Sequence, residues 1–155
     1  NRPPGRPVQR VGHLLSLLLV HNKGAIFGFD PRQFIPGFPL TQFFRFFSVV
    51  AVVVLLVYYR GIHPGNWSMR WGLALIVPGA LGNFWDRLVH PDLGVVDFIK
   101  MGLSRNVYWP IYNLADAYVT VGVAFIIVSV IREERARISA ESGSETKPEK
   151  PDAAS

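Results

Sequence analysis

Three apolar runs of roughly 20 residues dominate the hydrophobic pattern of the chain. They cover approximately residues 40–59, 67–88 and 110–131. A transmembrane helix needs about 20 mostly apolar residues, so each run is predicted to span a membrane. Pro78 and Gly79 lie within the second run, where neighbouring helices can satisfy the backbone groups that they free. Trp109 and Pro110 are expected to open the third span, because proline suits the first helical turn.

The segments outside these runs differ in character. Residues 1–12 are rich in proline and arginine and are predicted to be irregular. Residues 13–39 are apolar but interrupted by polar residues, glycine and prolines, a pattern that favours a strand pair or an interfacial segment over a span. The transmembrane core is predicted to cover residues 40–137. Residues 138–155 lack apolar content and are predicted to be a disordered tail.

The composition agrees with a single membrane domain. Half of the 155 residues are apolar and only 17% are charged, against about 25% in soluble domains. The net charge of +5 would suit nucleic acid or anionic lipid. Because the basic residues are scattered rather than clustered, membrane lipids are the expected partner and nucleic acid is not. Zero cysteines exclude disulfides, thiolate metal ligands and a thiol nucleophile.

Acidic residues are scarce and grouped. Only five occur in the first 132 positions, and four of these lie in one window, as Asp86, Asp92, Asp97 and Asp116. A carboxylate in or beside a membrane span is costly and is a functional candidate by default. With three spans, the segment 13–39 and the loop 89–109 share one face. We therefore expect Asp86, Asp97 and Asp116 to lie near the same membrane face.

Two of these aspartates close an N-x-x-D step. The steps are Asn83 to Asp86 and Asn113 to Asp116. Residues i and i+3 share one face of a helix, so each asparagine is expected to donate a hydrogen bond to the carboxylate of its own step. Arg87 follows Asp86 directly and is a candidate partner for a nearby carboxylate.

Paired carboxylates in a poorly hydrated site indicate aspartyl hydrolysis. Two such groups cannot both ionise, so one holds a proton and the other can act as general base on a water. This chemistry requires neither a metal nor a cofactor, and the sequence has no H-E-x-x-H spacing. Asp116, inside an apolar run, is expected to be functional, and Asp92 to be a turn residue. On the residues alone, Asp97 and Asp86 are open between function and structure.

Two other functions fit intramembrane aspartates. The first is a transporter subunit or proton relay, in which carboxylates carry protons or ions. The second is a noncatalytic scaffold, in which they make hydrogen bonds between helices. A transporter usually has more helices and repeat symmetry than this sequence indicates.

Four ordered blocks resemble the signature blocks of the lipoprotein signal peptidases, also called signal peptidase II. Three are GALGNFWDR at residues 79–87, GVVDFI at 94–99 and YWPIYNLAD at 108–116, and HNKGAIFG at 21–28 is similar to a further N-terminal block. The resemblance implies a multi-pass aspartyl peptidase of the bacterial inner membrane, monomeric and without a cofactor. Its active site would lie near the periplasmic face, with a small periplasmic β element. It would remove signal peptides from diacylglyceryl-modified prolipoproteins, cutting before the lipidated cysteine.

The resemblance also assigns roles to residues. The catalytic aspartates of the family fall on Asp97 and Asp116. Its supporting and substrate-binding positions fall on Asn22, Asn83, Asp86, Arg87 and Asn113. The family has four transmembrane helices, and the three spans predicted here lack a counterpart of the first. The expected fold is therefore an α-helical polytopic membrane protein with a small β element.

Overall fold

The computed structural model describes residues 9–11, 14–22, 32, 34–102 and 108–145. This part of the chain forms three helices and a small antiparallel sheet. In chain order the elements are β1 (Gln9–Val11), β2 (Leu15–Asn22), α1 (Leu40–Gly61), α2 (Trp67–Val89), β3 (Val95–Met101) and α3 (Leu114–Glu145).

The sheet has the order β1-β2-β3, with antiparallel neighbours. In the β2–β3 pair, Val20 lies opposite Asp97 and Asn22 lies opposite Val95. Because alternate residues of a strand share a face, Asn22 lies on the same face as Asp97. The apolar setting of Asp97 in residues 94–99 predicts a short strand, and β3 agrees with this prediction. The prediction that residues 1–12 are irregular is wrong for Gln9–Val11, which pair with the first residues of β2.

The helix α2 is central to the bundle and runs antiparallel to both neighbours, α1 and α3. Two glycines allow α3 to approach its backbone. A Cβ added at Gly79 would lie 2.6 Å from the carbonyl oxygen of Ala115, and one added at Gly122 would lie 2.6 Å from that of Gly72. Small residues that let backbones approach are typical of helix contacts in membranes.

Two helices in the described part of the chain are long and apolar enough to cross a membrane. They cover Leu40–Gly61 and Leu114–Ser142, each with a mean hydropathy of 2.2 in its most apolar window. The second predicted span, 67–88, is helical as α2. Its mean hydropathy is lowered by Arg70 near its start and by Asn83, Asp86 and Arg87 near its end. Three membrane spans are therefore not confirmed, and the crossing by α2 stays a prediction.

The third helix begins later than predicted. We expected it to open at Trp109 and Pro110, but α3 begins at Leu114. The preceding residues are extended because Tyr112 forms a bridge with Ile99, while Tyr108 forms one with Gly102. The chain thus follows β3 before it turns into the helix.

The same helix also continues further than predicted. It runs to Glu145, so the prediction of a disordered tail from residue 138 is wrong for 138–145. Arg137 forms ion pairs with Glu134 at 3.0 Å and Glu141 at 3.8 Å, one turn before and after it. Such pairs support an exposed helix that lacks an apolar face. Residues 146–155 of the predicted tail lie outside the described part of the chain.

Candidate active site

The end of α2, the strand β3 and the start of α3 meet at one end of the bundle. Asp97 and Asn113 lie at this junction, with only 3% and 4% of their surfaces exposed. A buried polar side chain is expected to have hydrogen-bond partners, and both residues have several. The polar side chains at this junction therefore form a hydrogen-bonded cluster.

Asn113 is the residue just before α3, and it caps the helix together with Asp116. The side-chain oxygen of Asn113 accepts a hydrogen bond from the backbone N–H of Asp116 at 2.9 Å. In return, Oδ2 of Asp116 accepts one from the backbone N–H of Asn113 at 3.3 Å. This reciprocal arrangement is a capping box. The expected amide-to-carboxylate bond within this N-x-x-D step is therefore wrong, since Asn113 precedes the helix.

The side-chain amide of Asn113 connects the elements. Its Nδ2 lies 2.9 Å from Oδ1 of Asn83 and 3.2 Å from Oδ1 of Asp97. The amide of Asn83 in turn donates to Oδ1 of Asp116 at 2.8 Å, not to Asp86 as its spacing predicted. One hydrogen-bonded chain thus joins Asp97, Asn113, Asn83 and Asp116, and brings the carboxylates of β3 and α3 into one cluster.

Asn22 completes the partners of Asp97 from the neighbouring strand. Its Nδ2 donates to Oδ2 of Asp97 at 3.0 Å. Both oxygens of this carboxylate therefore accept hydrogen bonds from asparagine amides. By residue type alone Asn22 would be a turn residue, and only the resemblance to a known family pointed to it.

The environment of Asp97 favours its protonated form. The pKa of Asp97 is raised to about 6, because burial and the charge of Asp116 raise it more than the hydrogen bond from Asn22 lowers it. Removal of a carboxylate from water disfavours the charged form. Asp97 can therefore hold a proton well above the pH at which an exposed aspartate has lost it.

Asp86 and Arg87 lie beside this cluster but do not pair with each other. Oδ2 of Asp86 accepts a hydrogen bond from the backbone N–H of Val96 at 3.1 Å, which fixes β3 to α2. Arg87 donates to the carbonyl of Asn83 at 3.1 Å, and its guanidinium lies 4.7 Å from the ring centroid of Phe44. In the part of the chain that the structure describes, no salt bridge joins Arg87 to a carboxylate. The prediction that Arg87 pairs with a nearby carboxylate is therefore wrong for the described residues, Asp86 included.

Arg45 and Asp92 are two further charged side chains near this end of the bundle. The Nε of Arg45 donates to the carbonyl of Arg87 at 3.0 Å, so this side chain satisfies a free carbonyl at the end of α2. Asp92 is exposed in the turn after α2, as predicted for a turn residue. The contact of Arg45 is not among the predictions above, although a cation so early in an apolar run is a signal for such a contact.

The cluster has the components needed to activate water. Two carboxylates are linked through Asn113, one of them is disposed to hold a proton, and the cation of Arg87 is close enough to act on the ionisation of Asp97. Among the described residues no three or more side chains are grouped as metal ligands. An acid–base pair of carboxylates is the chemistry that this arrangement supports best.

Known proteins have sequences similar to this chain. Residues 4–132 match the family model described as "Signal peptidase (SPase) II". A lipoprotein signal peptidase of Geobacter sulfurreducens is 39% identical over 124 residues, which cover 79% of this chain and 72% of that protein. One of Staphylococcus haemolyticus is 36% identical over 133 residues, covering 86% and 78%.

Solved structures show the same similarity at the level of the fold. A structure described as a bacterial membrane enzyme, determined by the in meso method at 2.3 Å resolution, has a TM-score of 0.69 and 26% identity, covering 96% of this chain and 79% of that one. A second, at 1.9 Å resolution, has a TM-score of 0.65 and 28% identity, covering 83% and 77%.

Proposed function

Because the chain belongs to the signal peptidase II family, we propose that it is an intramembrane aspartyl endopeptidase acting on diacylglyceryl-modified prolipoproteins. It hydrolyses the peptide bond before the lipidated cysteine and so releases the signal peptide. Asp97 and Asp116 are the catalytic pair. The enzyme lies in the bacterial inner membrane as a multi-pass protein, with its active site near the periplasmic face.

One observation carries the catalytic assignment. Asn113 is hydrogen-bonded to both carboxylates, to Asp97 through its side-chain amide at 3.2 Å and to Asp116 through the reciprocal cap. Two carboxylates tied to a single residue are held at a fixed separation. Fixed geometry between an acid and a base is what general acid–base catalysis requires.

The pair works with one shared proton. The ionised carboxylate removes a proton from a water, whose oxygen forms a bond to the scissile carbonyl carbon. The protonated carboxylate donates a hydrogen bond to the carbonyl oxygen as charge develops there. When the C–N bond breaks, the pair delivers a proton to the leaving amine, and one shared proton remains for the next turnover. Because the two groups titrate as a unit, acid and base are roles of the pair.

The neighbouring residues position the substrate and the pair. Asn22 and Asn113 fix the two oxygens of Asp97, and Asn83 fixes one oxygen of Asp116. Trp109 and Tyr108 are exposed next to the end of β3, and such aromatic residues favour the membrane interface. The diacylglyceryl chains can therefore remain in the bilayer while the peptide bond reaches the two carboxylates.

Cleavage of a defined substrate tests this function. The purified chain in lipid is incubated with a prolipoprotein carrying the diacylglyceryl group and, separately, with the same precursor lacking it. We expect a shorter product only from the modified precursor, with a mature sequence that mass spectrometry shows to begin at the lipidated cysteine. Cleavage of both precursors at equal rates, or at another bond, would contradict the proposed specificity.

A further inference from the structure

A cleft lies at the end of the helix bundle opposite Asp97. Its volume is about 450 Å³, within the range of ligand pockets in proteins. The residues lining it come from all three helices and the α1–α2 connection, and they are Val57, Tyr58, Gly61, Ile62, His63, Asn66, Met69 and Glu133. The cleft plays no part in the chemistry described above.

The cleft contains one carboxylate that lacks a cationic partner. Glu133 accepts hydrogen bonds from the side-chain amide of Asn66 and from the hydroxyl of Ser129 at 3.3 Å. Within the described ranges no salt bridge involves Glu133, whereas the adjacent Glu134 pairs with Arg137 at 3.0 Å. The hydrogen bonds orient the Glu133 carboxylate, but they leave its charge uncompensated.

Two of the arginines near the cleft are engaged with aromatic rings. The guanidinium of Arg132 lies 5.5 Å from the ring centroid of Trp67. Arg70 donates to the hydroxyl of Tyr59 at 3.1 Å and stacks on the same ring. The lining residues include His63 but no lysine or arginine, so Glu133 is the lining residue that an incoming cation would contact.

The cleft and the carboxylate pair lie near the two ends of α2, on the same face of this helix. Met69 lines the cleft, and Arg87 contacts the aspartate site. Their separation along the helix corresponds to about five full turns, which places both on one face roughly 27 Å apart. An elongated ligand lying along that face would reach both.

A signal peptide has this length and this charge distribution. It carries a basic n-region, then an apolar h-region of about 7–15 residues, and then the cleavage site. An h-region of about 12 helical residues is roughly 18 Å long, and about three extended residues before the cleaved bond add roughly 10 Å. The n-region would then lie at the depth of Glu133 while the cleaved bond lies at the aspartates.

We propose that this cleft binds the basic n-region of the signal peptide, with Glu133 as the residue that recognises its charge. The proposal rests on the proposed function. Binding at both ends would align the substrate by its length as well as by its lipidated cysteine. Lysine and arginine are the side chains that the Glu133 carboxylate would accept.

Paired substrates and matched variants test the proposal. Two lipid-modified precursors are compared, one with its natural lysine and arginine n-region and one with glutamine in their place. The enzymes are the parent chain, Glu133→Gln and the control Glu134→Gln. We expect Glu133→Gln to raise KM for the basic precursor about two- to fivefold, as for an ion pair at a partly exposed site. The KM for the neutral precursor and kcat for both should not change.

Three outcomes would overturn the proposal. Equal effects of Glu133→Gln on both precursors would assign Glu133 a purely structural role. A KM that follows the phosphatidylethanolamine content of the vesicles but not the n-region charge would assign the cleft to a lipid ammonium group. An effect of Glu134→Gln equal to that of Glu133→Gln would show nonspecific surface charge.

A binding measurement separates this proposal from the function on which it rests. Fluorescent signal peptides with basic and neutral n-regions are titrated onto the parent chain and Glu133→Gln in vesicles, so that no cleavage is needed. The proposal requires the basic peptide to bind the parent chain about two- to fivefold more tightly and to lose that preference with Glu133→Gln. Equal affinities would contradict the proposal even if the precursor is cleaved normally.

Discussion

The side-chain amide of Asn113 lies 3.2 Å from Oδ1 of Asp97, and this contact ties the strand β3 to the first turn of α3. The same asparagine caps α3 reciprocally with Asp116. This one residue therefore stabilises the fold and fixes the positions of the two carboxylates relative to each other. Stability and catalysis should be separable at this position.

Substitutions at Asn113 are expected to separate them. Asn113→Ser keeps an oxygen that can cap the helix but removes the amide that bonds Asp97, whereas Asn113→Ala removes both. We expect kcat to fall more than about tenfold in both variants. Only Asn113→Ala should lose the capping energy, about 1 kcal/mol. Thermal unfolding and cleavage rates measured on the same preparations check this, and unchanged kcat in Asn113→Ser would contradict the role of the amide.

Loss of Asn22 should change the pH dependence of cleavage. Its hydrogen bond stabilises the ionised form of Asp97 and so opposes the rise in the pKa of that carboxyl. In Asn22→Ala the pKa of Asp97 should rise further, so the alkaline limb of kcat/KM should move to higher pH. His21→Ala, one residue away on the opposite face of β2, is the control. A limb that stays in place in Asn22→Ala, or moves equally in His21→Ala, would contradict this account.

The raised pKa of Asp97 also predicts how stability depends on pH. Since the folded pKa of about 6 exceeds the ordinary value of 3.8, the fold favours the protonated carboxyl. This contribution is fully present below pH 3.8 and is lost as the pH rises through about 6.

Replacement of Asp97 by a neutral amide should remove this dependence. At pH 8 the ionised, buried aspartate costs up to about 3 kcal/mol, because one pKa unit corresponds to about 1.4 kcal/mol. Asp97→Asn should therefore be more stable than the parent chain at pH 8, and the difference should vanish near pH 4. Thermal unfolding at several pH values measures this. A constant difference across the range would show that Asp97 is not buried in its charged form.

The contact between α2 and α3 should not tolerate side chains at Gly79. A Cβ there meets the carbonyl oxygen of Ala115 at 2.6 Å, which cannot move without shifting the helix. Gly79→Val should lower the stability by about 1–3 kcal/mol, as overpacking does, and disturb the aspartate site one turn away. In Gly61→Val the added Cβ meets nothing within 4 Å, so this control should unfold like the parent chain. Equal melting temperatures for the two variants would contradict the close contact.

Local patterns in the sequence predicted the helices well but not their connections. The apolar runs located α1 and α2 to within a few residues, and the setting of Asp97 predicted β3. The start of α3 was wrong because bridges to β3, formed between distant residues, hold Tyr108 and Tyr112 extended. The preference of Pro110 for the first turn of a helix gives no information about pairing with a distant strand.

The candidate site shows the same division between local and long-range information. An i to i+3 spacing fits both a shared helix face and a capping box, and the sequence does not distinguish them at Asn113. The bonds from Asn83 to Asp116 and from Asn22 to Asp97 join elements that are far apart in the chain. Sequence spacing could indicate that these are candidate site residues. Only the tertiary structure shows which of them are hydrogen-bond partners.

The catalytic role of the carboxylate pair is tested most directly by isosteric replacement. Asp97→Asn and Asp116→Asn keep the size of each side chain and one accepting oxygen but remove its acid–base function. Cleavage of a diacylglyceryl-modified prolipoprotein is measured for both variants, for the parent chain and for Asp92→Asn, which changes an exposed turn residue. We expect a loss of at least about a thousandfold in each of the first two variants, with parent-like activity in Asp92→Asn and folded protein throughout. Retention of cleavage in either Asp97→Asn or Asp116→Asn would contradict the proposed mechanism.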